Sequence, residues 1–343
     1  IREARMLTEM ARKQKVVTQM GNQGASNPLL KTVQDWVDSH VIGNISKVQI
    51  WTNRPVWPQG IKMPKSDPSA KPKDLNWDLW LGPAPNKPYT PNMHPFNWRG
   101  WWDYGTGALG DVGCHLIDIP YRTLGLKYPK DAECSVGTVY SGMFTQAYIP
   151  EGCPPSSFTT LHFDGTEKSK SPVEMTWSDG GIRPSHPEII PANHDIGGPG
   201  SENGVLMIGE KGIISTNIND SEPLMPKLYL NDGTTEFGPE IEPNEEPEYG
   251  HQRKWIDACK AGFQSREHQE LTSSFDYAGP MTETVLMGNL AIRSYMLKRK
   301  NTQGNMLFYA RKKLLWDGEN TRITNLEEAN QFVGRIYRSG WEI

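Results

Sequence analysis

Gly105-Thr106-Gly107-Ala108-Leu109-Gly110-Asp111-Val112-Gly113-Cys114-His115-Leu116-Ile117-Asp118 is the stretch on which the fold turns. Its first six residues match G-x-G-x-x-G, the dinucleotide fingerprint. That motif works only where an apolar strand leads into it and a βαβ unit with a ribose-binding acid follows. Here Asn97-Trp98-Arg99-Gly100-Trp101-Trp102-Asp103-Tyr104 leads in, which is no buried parallel strand. The better reading is a helix from about Gly110 to Leu124. Asp111 and His115 then stand at i and i+4 and project from one face. A histidine beside a carboxylate can take a proton near neutral pH, because the negative neighbour orients the ring and stabilises its cation. The same pair also reads as an ordinary capped helix start with a satisfied core histidine. As metal ligands the two need His94, His186 or His194 to complete a set, and no spacing selects one of them. Cys114 points to another helix face, against a Cys–His nucleophile pair.

Downstream, short alternating runs with turns between them predict strands at Ser135–Ser141, Ser157–Phe163, Val173–Ser178, Gly204–Ile208, Gly212–Thr216 and Lys227–Leu230. Strands in succession without intervening helices form an antiparallel sheet. Gly180 to Asn203, rich in Gly, Pro and His, reads as a loop crossing that sheet. Helices are expected at His251–Ala261, at Met281–Lys300 with Lys298, Arg299 and Lys300 at the negative end of its dipole, and at Asn325–Tyr337. His251, with Trp255 four residues on, reads as packing or capping.

Upstream, Arg2–Lys13 has helical spacing, and Lys15–Met20 is a short β-branched run ending in Gly21, the pattern of the tail of an α/β layer. A helix near Pro28 to His40 and a strand from Ile45 to Asn53 follow. The segment from Arg54 to Tyr104 is aromatic, proline-rich and irregular, and a loop of this length in a compact protein is usually functional.

Composition excludes several classes. Gly 33 and Pro 27 in 343 residues lie well below the roughly 25–30% typical of disorder. A net charge of −4 gives no basic excess for nucleic acid, and no apolar run approaches the ~18 residues of a membrane span. Four cysteines without C-x-x-C spacing do not fix the compartment.

Several ordered blocks resemble the Gfo/Idh/MocA oxidoreductases, the glucose-fructose oxidoreductase and inositol dehydrogenase group. They are Thr18-Gln19-Met20-Gly21-Asn22-Gln23-Gly24, Trp77-Asp78-Leu79-Trp80-Leu81-Gly82-Pro83-Ala84-Pro85, Trp98 through Gly107, Asp111 through His115, and the closing Thr324-Asn325 and Gly340-Trp341. The resemblance covers essentially the whole chain. It implies an α/β (α+β) protein: a substrate domain with a large open, mainly antiparallel sheet flanked by helices, preceded by the last helix and strand of a Rossmann domain. Residues 1–24 would be that remnant and 25–343 the substrate and oligomerisation domain, with the last helix, about 325–338, packing back on the Rossmann side. The family's phosphate loop and its catalytic lysine, in a Glu-Lys-Pro motif, are expected upstream of Arg2, so that binding of the cofactor by this chain alone is expected to be poor.

The resemblance also implies roles. His115 would take the substrate hydroxyl proton as hydride leaves for NAD or NADP, with Asp111 orienting or charging it. Gln19, Asn22, Trp98 and Arg99 are expected on the cofactor, and Arg54, Trp57, His94, Trp101, Trp102 and Tyr104 on a sugar, sugar derivative or polyol. The expected protein is an oxidoreductase and a homo-oligomer through the open sheet, exported to the periplasm or, as the alternative, cytoplasmic. Two other functions fit the family's pattern: a redox-neutral NAD-dependent glycosidase, and a truncated carbohydrate-binding or assembly module without catalysis.

Overall fold

The computed structural model describes residues 1–219, 222–223, 225–241 and 247–342. Ten strands form its central sheet: β1 Ile45–Trp51, β2 Asp131–Val136, β3 Ser157–Phe163, β4 Val173–Ser178, β5 Gly204–Gly209, β6 Gly212–Thr216, β7 Lys227–Leu230, β8 Thr235–Phe237, β9 Leu314–Asp317 and β10 Arg322–Ile323. Their spatial order is β8-β7-β6-β5-β1-β4-β3-β2-β9-β10. Every neighbouring pair is antiparallel except β1 and β4, which run parallel with Val48 opposite Met175 and Ile50 opposite Trp177.

Alternation along the strands builds two apolar faces. Val48, Ile50, Leu161, Phe163, Met175, Trp177, Val205, Met207 and Ile214 join one large core. Trp51, Leu206, Ile213 and Tyr229 point the other way, where Ile190 and Ile196 of the crossing loop cover them. The loop is held by polar contacts too: Trp51 Nε1 donates to Ser201 O at 2.8 Å. The sheet is therefore covered on this face over β1, β5, β6 and β7.

The helices are α1 Arg2–Gln14, α2 Leu29–Asp38, α3 Trp77–Leu81, α4 Gly107–Leu116, α5 Asp118–Thr123, α6 His251–Ala261, α7 Arg266–Gln269 and α8 Phe275–Tyr295. The central one, α8, is buried on most sides, with Met281, Val285, Met287, Leu290 and Ile292 in the main core. Against it lies α4, brought close because Gly288 has no side chain: a Cβ there would stand 2.5 Å from Leu109 Cδ2. At the other end α1 docks on α8 through Arg5, whose guanidinium donates twice to Glu283, both at 2.7 Å.

Five sequence expectations are corrected. The single helix over 110–124 is two, α4 and α5, because Pro120 in the first turn of α5 cannot donate to the preceding helix. The run Lys15–Met20 belongs to no sheet among the described residues: β-branched residues favour a strand only where a ladder partner exists. The expected strand 135–141 divides into β2 and a separate hairpin, Tyr140–Gly142 with Thr145–Gln146. The helix placed at 281–300 starts at Phe275, carries Pro280 inside it and ends at Tyr295, so that Arg293 is the base of its last turn. Lys298–Lys300 pairs instead as a strand with Met306–Phe308. Near the C-terminus, among the described residues, only Glu327–Phe332 is helical, as a 3₁₀ turn.

Candidate active site

Three segments converge beside the end of β1. The chain leaving β1 brings Thr52, Arg54, Val56 and Trp57, the 3₁₀ turn Asn97–Gly100 and the residue before it bring Arg99 and Phe96, and α4 brings Asp111, Val112 and His115. Together they line a cleft of about 220 Å³. Parallel β1 and β4 end here, the place where open α/β sheets commonly leave a crevice. The exit is pinned by the backbone: Thr52 N donates to Ser178 O at 3.0 Å and Gly180 N to Arg54 O at 2.6 Å.

Within the cleft, Arg99 Nε donates to Asp111 Oδ1 at 2.8 Å and Nη1 to Phe96 O at 3.1 Å. Its guanidinium carbon lies 4.5 Å from the centroid of Trp98, 4.7 Å from Phe96 and 5.7 Å from Trp57. This packing fixes a long cation that would otherwise sample many rotamers. Arg54 Nη1 donates to Asn53 Oδ1 at 2.7 Å, and no carboxylate among the described residues pairs with Arg54.

The glycines before and within the first turn of α4 serve packing. A Cβ on Gly105 would lie 2.5 Å from Arg99 Cα, and one on Gly110 1.9 Å from Thr106 Oγ1. Gly107 has φ of +63° and faces Cys153 Sγ, 3.0 Å from its ideal Cβ. Gln59, which sequence reasoning missed, ties the loop to the helix. Its Oε1 accepts from Trp57 Nε1 at 2.8 Å and from Ala108 N at 3.1 Å, and its Nε2 donates to Pro154 O at 2.5 Å. Phe96, Val56 and Thr52 were missed as well, since no spacing marks a loop residue that reaches a cleft only through the fold.

The other expected site residues are dispersed. Asn22 is buried beside α4; its Nδ2 donates to Cys114 O at 3.5 Å and its Oδ1 has no partner among the described residues. Gln19 is engaged elsewhere, donating to His251 O at 2.6 Å. Trp98 faces a second pocket of about 260 Å³, with Trp80, Tyr104, Asp103 and Arg335. His94 lies against Trp80, which stacks on Trp77 at 4.6 Å. Burial pushes the Tyr104 hydroxyl up to about 12, so it stays protonated at neutral pH.

Two of the expected tryptophans do not line this cleft. Trp101 is 1% exposed and packed inside, and Trp102 packs on the main core beneath Arg293. Both hold the loop on the body, out of the cleft. His186 and His194 are remote too: His186 Nε2 contacts His194 O at 3.0 Å and His194 Nδ1 contacts the Tyr229 hydroxyl at 3.0 Å. Among the described residues no group of three or more His, Cys, Asp or Glu could hold a metal ion. His251 is a tie: Nδ1 contacts Ser26 Oγ at 2.8 Å and Nε2 contacts Met20 O at 2.9 Å. Burial lowers its pKa.

Residues 27–136, which contain the whole cleft, match the family model described as the oxidoreductase family, C-terminal alpha/beta domain, of the Gfo/Idh/MocA group. Over those residues the chain is similar to the C-terminal domain of the Gfo/Idh/MocA oxidoreductases. Among solved structures, an inositol dehydrogenase homolog complexed with NAD+ from Azotobacter vinelandii is 14% identical with a TM-score of 0.51, over 90% of this chain and 69% of that one. An oxidoreductase from Pseudomonas syringae is 13% identical with a TM-score of 0.49, over 85% of this chain and 66% of that one. At these identities the likeness concerns the fold alone, and the chain spans about two thirds of the length of those structures. No curated protein matches. Among the described residues no helix is long and apolar enough to cross a membrane.

The Azotobacter vinelandii structure is of a complex with NAD+. In this chain the cleft offers polar side chains, and outside its lining Asn22 Oδ1 is buried with no hydrogen-bond partner among the described residues. The glycines at 105, 107 and 110 do not fit the pyrophosphate, since neighbouring atoms fill the space a phosphate cradle needs.

Proposed function

We propose that this domain serves an NAD(P)-dependent oxidoreductase acting on a hydroxyl of a sugar, sugar derivative or polyol. What carries the reading is the convergence of Arg54, Arg99, Asp111 and His115 on one cleft walled by Trp57 and Phe96. The cofactor, when bound, accepts or returns the hydride. His115 takes the hydroxyl proton in the oxidative direction and returns it in the other. Asp111, held by Arg99, sets the charge beside that proton path. Arg54 binds substrate oxygens, Trp57 offers a flat apolar wall, and Asn22 borders the nicotinamide side. Residues 1–24 are assigned to the end of the dinucleotide-binding domain and 25–343 to the substrate domain.

The test uses the full-length protein with NAD+ or NADP+ and a panel of sugars and polyols, following reduced cofactor. His115→Ala is expected to lower turnover by roughly 10²- to 10⁴-fold at unchanged melting temperature. Undiminished turnover in that variant removes His115 from the mechanism. Release of an aglycone without accumulation of reduced cofactor would assign the cleft to redox-neutral glycoside cleavage.

A further inference from the structure

From Thr284 to Trp316 the chain holds no Asp or Glu, and the stretch from Lys298 to Lys313 carries six cations: Lys298, Arg299, Lys300, Arg311, Lys312 and Lys313. In a chain with a net charge of −4 this is a local inversion of sign. The structure places the six on a two-stranded ribbon outside the central sheet, Lys298–Lys300 against Met306–Phe308, and on the chain that enters β9. Most of this charge is left uncompensated. Of the six, only Lys313 meets carboxylates among the described residues, Asp131 at 3.6 Å and Glu133 at 3.7 Å.

The cations are also crowded. Lys298 Nζ lies 4.3 Å from the Phe308 ring centroid and Arg311 Cζ 3.5 Å from it, so one ring carries two like charges. The ring attracts each of them, but they repel one another, and an anion beside them would relieve that repulsion. Apolar side chains stand among the charges. Directly opposed residues of an antiparallel pair share a face, which sets Lys300 with Met306 on one side of the ribbon and Arg299 with Leu307 on the other. Met306 and Leu307 are 51% and 52% exposed. The turn between the strands, Asn301-Thr302-Gln303-Gly304-Asn305, has no charge. Lysines on an exposed ribbon discourage strand-to-strand pairing, yet that role calls neither for aliphatic side chains in water beside them nor for two cations on one ring.

We propose that this ribbon is a peripheral docking surface for an anionic lipid bilayer. The uncharged turn enters the headgroup layer first. Met306 and Leu307, on opposite faces of the ribbon, then both reach the acyl boundary, while Lys298, Arg299, Lys300, Arg311 and Lys312 meet the anionic headgroups around them. The apolar pair decides the partner: a nucleic acid or an acidic polysaccharide would pair with the cations but leave Met306 and Leu307 in water. Two aliphatic side chains and a basic patch give reversible attachment, short of a stable anchor. The proposal does not rest on the reading of the cleft.

Cosedimentation of the full chain with vesicles tests it, using phosphatidylcholine alone and an equal mixture with phosphatidylserine. The wild type is expected to bind the anionic vesicles only, and to come off them between roughly 0.05 and 0.5 M salt as the charges are screened. Arg299→Gln with Lys300→Gln should weaken partitioning about 25-fold, roughly fivefold per cation. Met306→Ser with Leu307→Ser should weaken it at least about tenfold. All four side chains lie at the surface, so both variants should keep the wild-type melting temperature, and the comparison of vesicles and salt needs no variant at all. Absence of wild-type binding to anionic vesicles at low salt overturns the proposal, as does equal binding to both kinds of vesicle. Retention on heparin without vesicle binding, or vesicle binding that the serine pair leaves unchanged, overturns it too.

Discussion

At the scale of single residues, the cleft depends on how Asp111 is held. Sequence spacing pairs it with His115 on one helix face, and the fold adds Arg99, which reaches back from the preceding 3₁₀ turn to bond it at 2.8 Å. The two side chains are 24% and 32% exposed, so the pair is screened less than a surface ion pair. Arg99→Ala frees the carboxylate and removes the packing of three rings around the guanidinium. A loss of roughly tenfold to a hundredfold in kcat/KM is expected, the scale of a small misplacement near reacting atoms. Asp111→Asn should lower it by a comparable factor, and the double variant should be little worse than either single one, because both act through one contact. Losses that multiply in the double variant would mean that Arg99 and Asp111 act separately. Asp111 and His115 were legible because i, i+4 spacing is a local property. Arg99's grip on Asp111 and Gln59's grip on Ala108 were not, since each closes a loop whose path is set by packing elsewhere.

At the scale of elements, α1 shows how a segment that buries little apolar surface is fixed to the body. Its Arg5 makes a two-point bond to Glu283 of α8 and a third to Gly318 O at 2.9 Å. The Glu283 side chain is 1% exposed. Arg5→Met leaves that carboxylate buried without its cation, a change expected to cost about 3–5 kcal/mol. Arg5→Met with Glu283→Met should recover most of the loss, because the desolvated charge goes with its partner. Urea unfolding of the three proteins checks this, and equal stabilities for the single and double variants would refute it. Elements of this kind were readable in proportion to how local their cause is. Ser157–Phe163, Val173–Ser178, Gly212–Thr216 and Lys227–Leu230 coincide with their alternating patterns. Helix α8 was misplaced because Pro280 looks like a boundary, while tertiary burial on nearly every side outweighs the hydrogen bond it removes. The parallel pairing of β1 with β4 joins residues more than a hundred positions apart, and no local pattern announces it.

At the scale of the whole molecule, the cleft stands on a buried polar joint between the parallel and antiparallel parts of the sheet. Asp179, directly after β4, accepts from Ser157 N at 2.5 Å, Ser157 Oγ at 2.7 Å and Trp177 Nε1 at 2.9 Å. It thereby ties the start of antiparallel β3 to the exit of β4, and the next residue, Gly180, holds Arg54 O. Burial pushes the Asp179 carboxyl up from 3.8 to about 6, against the lowering effect of its three donors. The native state therefore binds this proton more tightly than the unfolded chain does. Its contribution is fully present below about pH 3.8 and is lost as pH rises through about 6. The loss is on the order of 3 kcal/mol from the size of the shift. Asp179→Asn cannot titrate, so the unfolding free energy of the variant relative to the wild type should shift in the variant's favour between pH 4 and 7, by that order. Because the joint lies under Arg54, the same variant should retain the fold while changing KM more than kcat. Denaturant curves at pH 4, 5, 6 and 7 decide the first point: a constant difference between the two proteins across that range would mean that Asp179 ionises in the native state as it does in the unfolded chain.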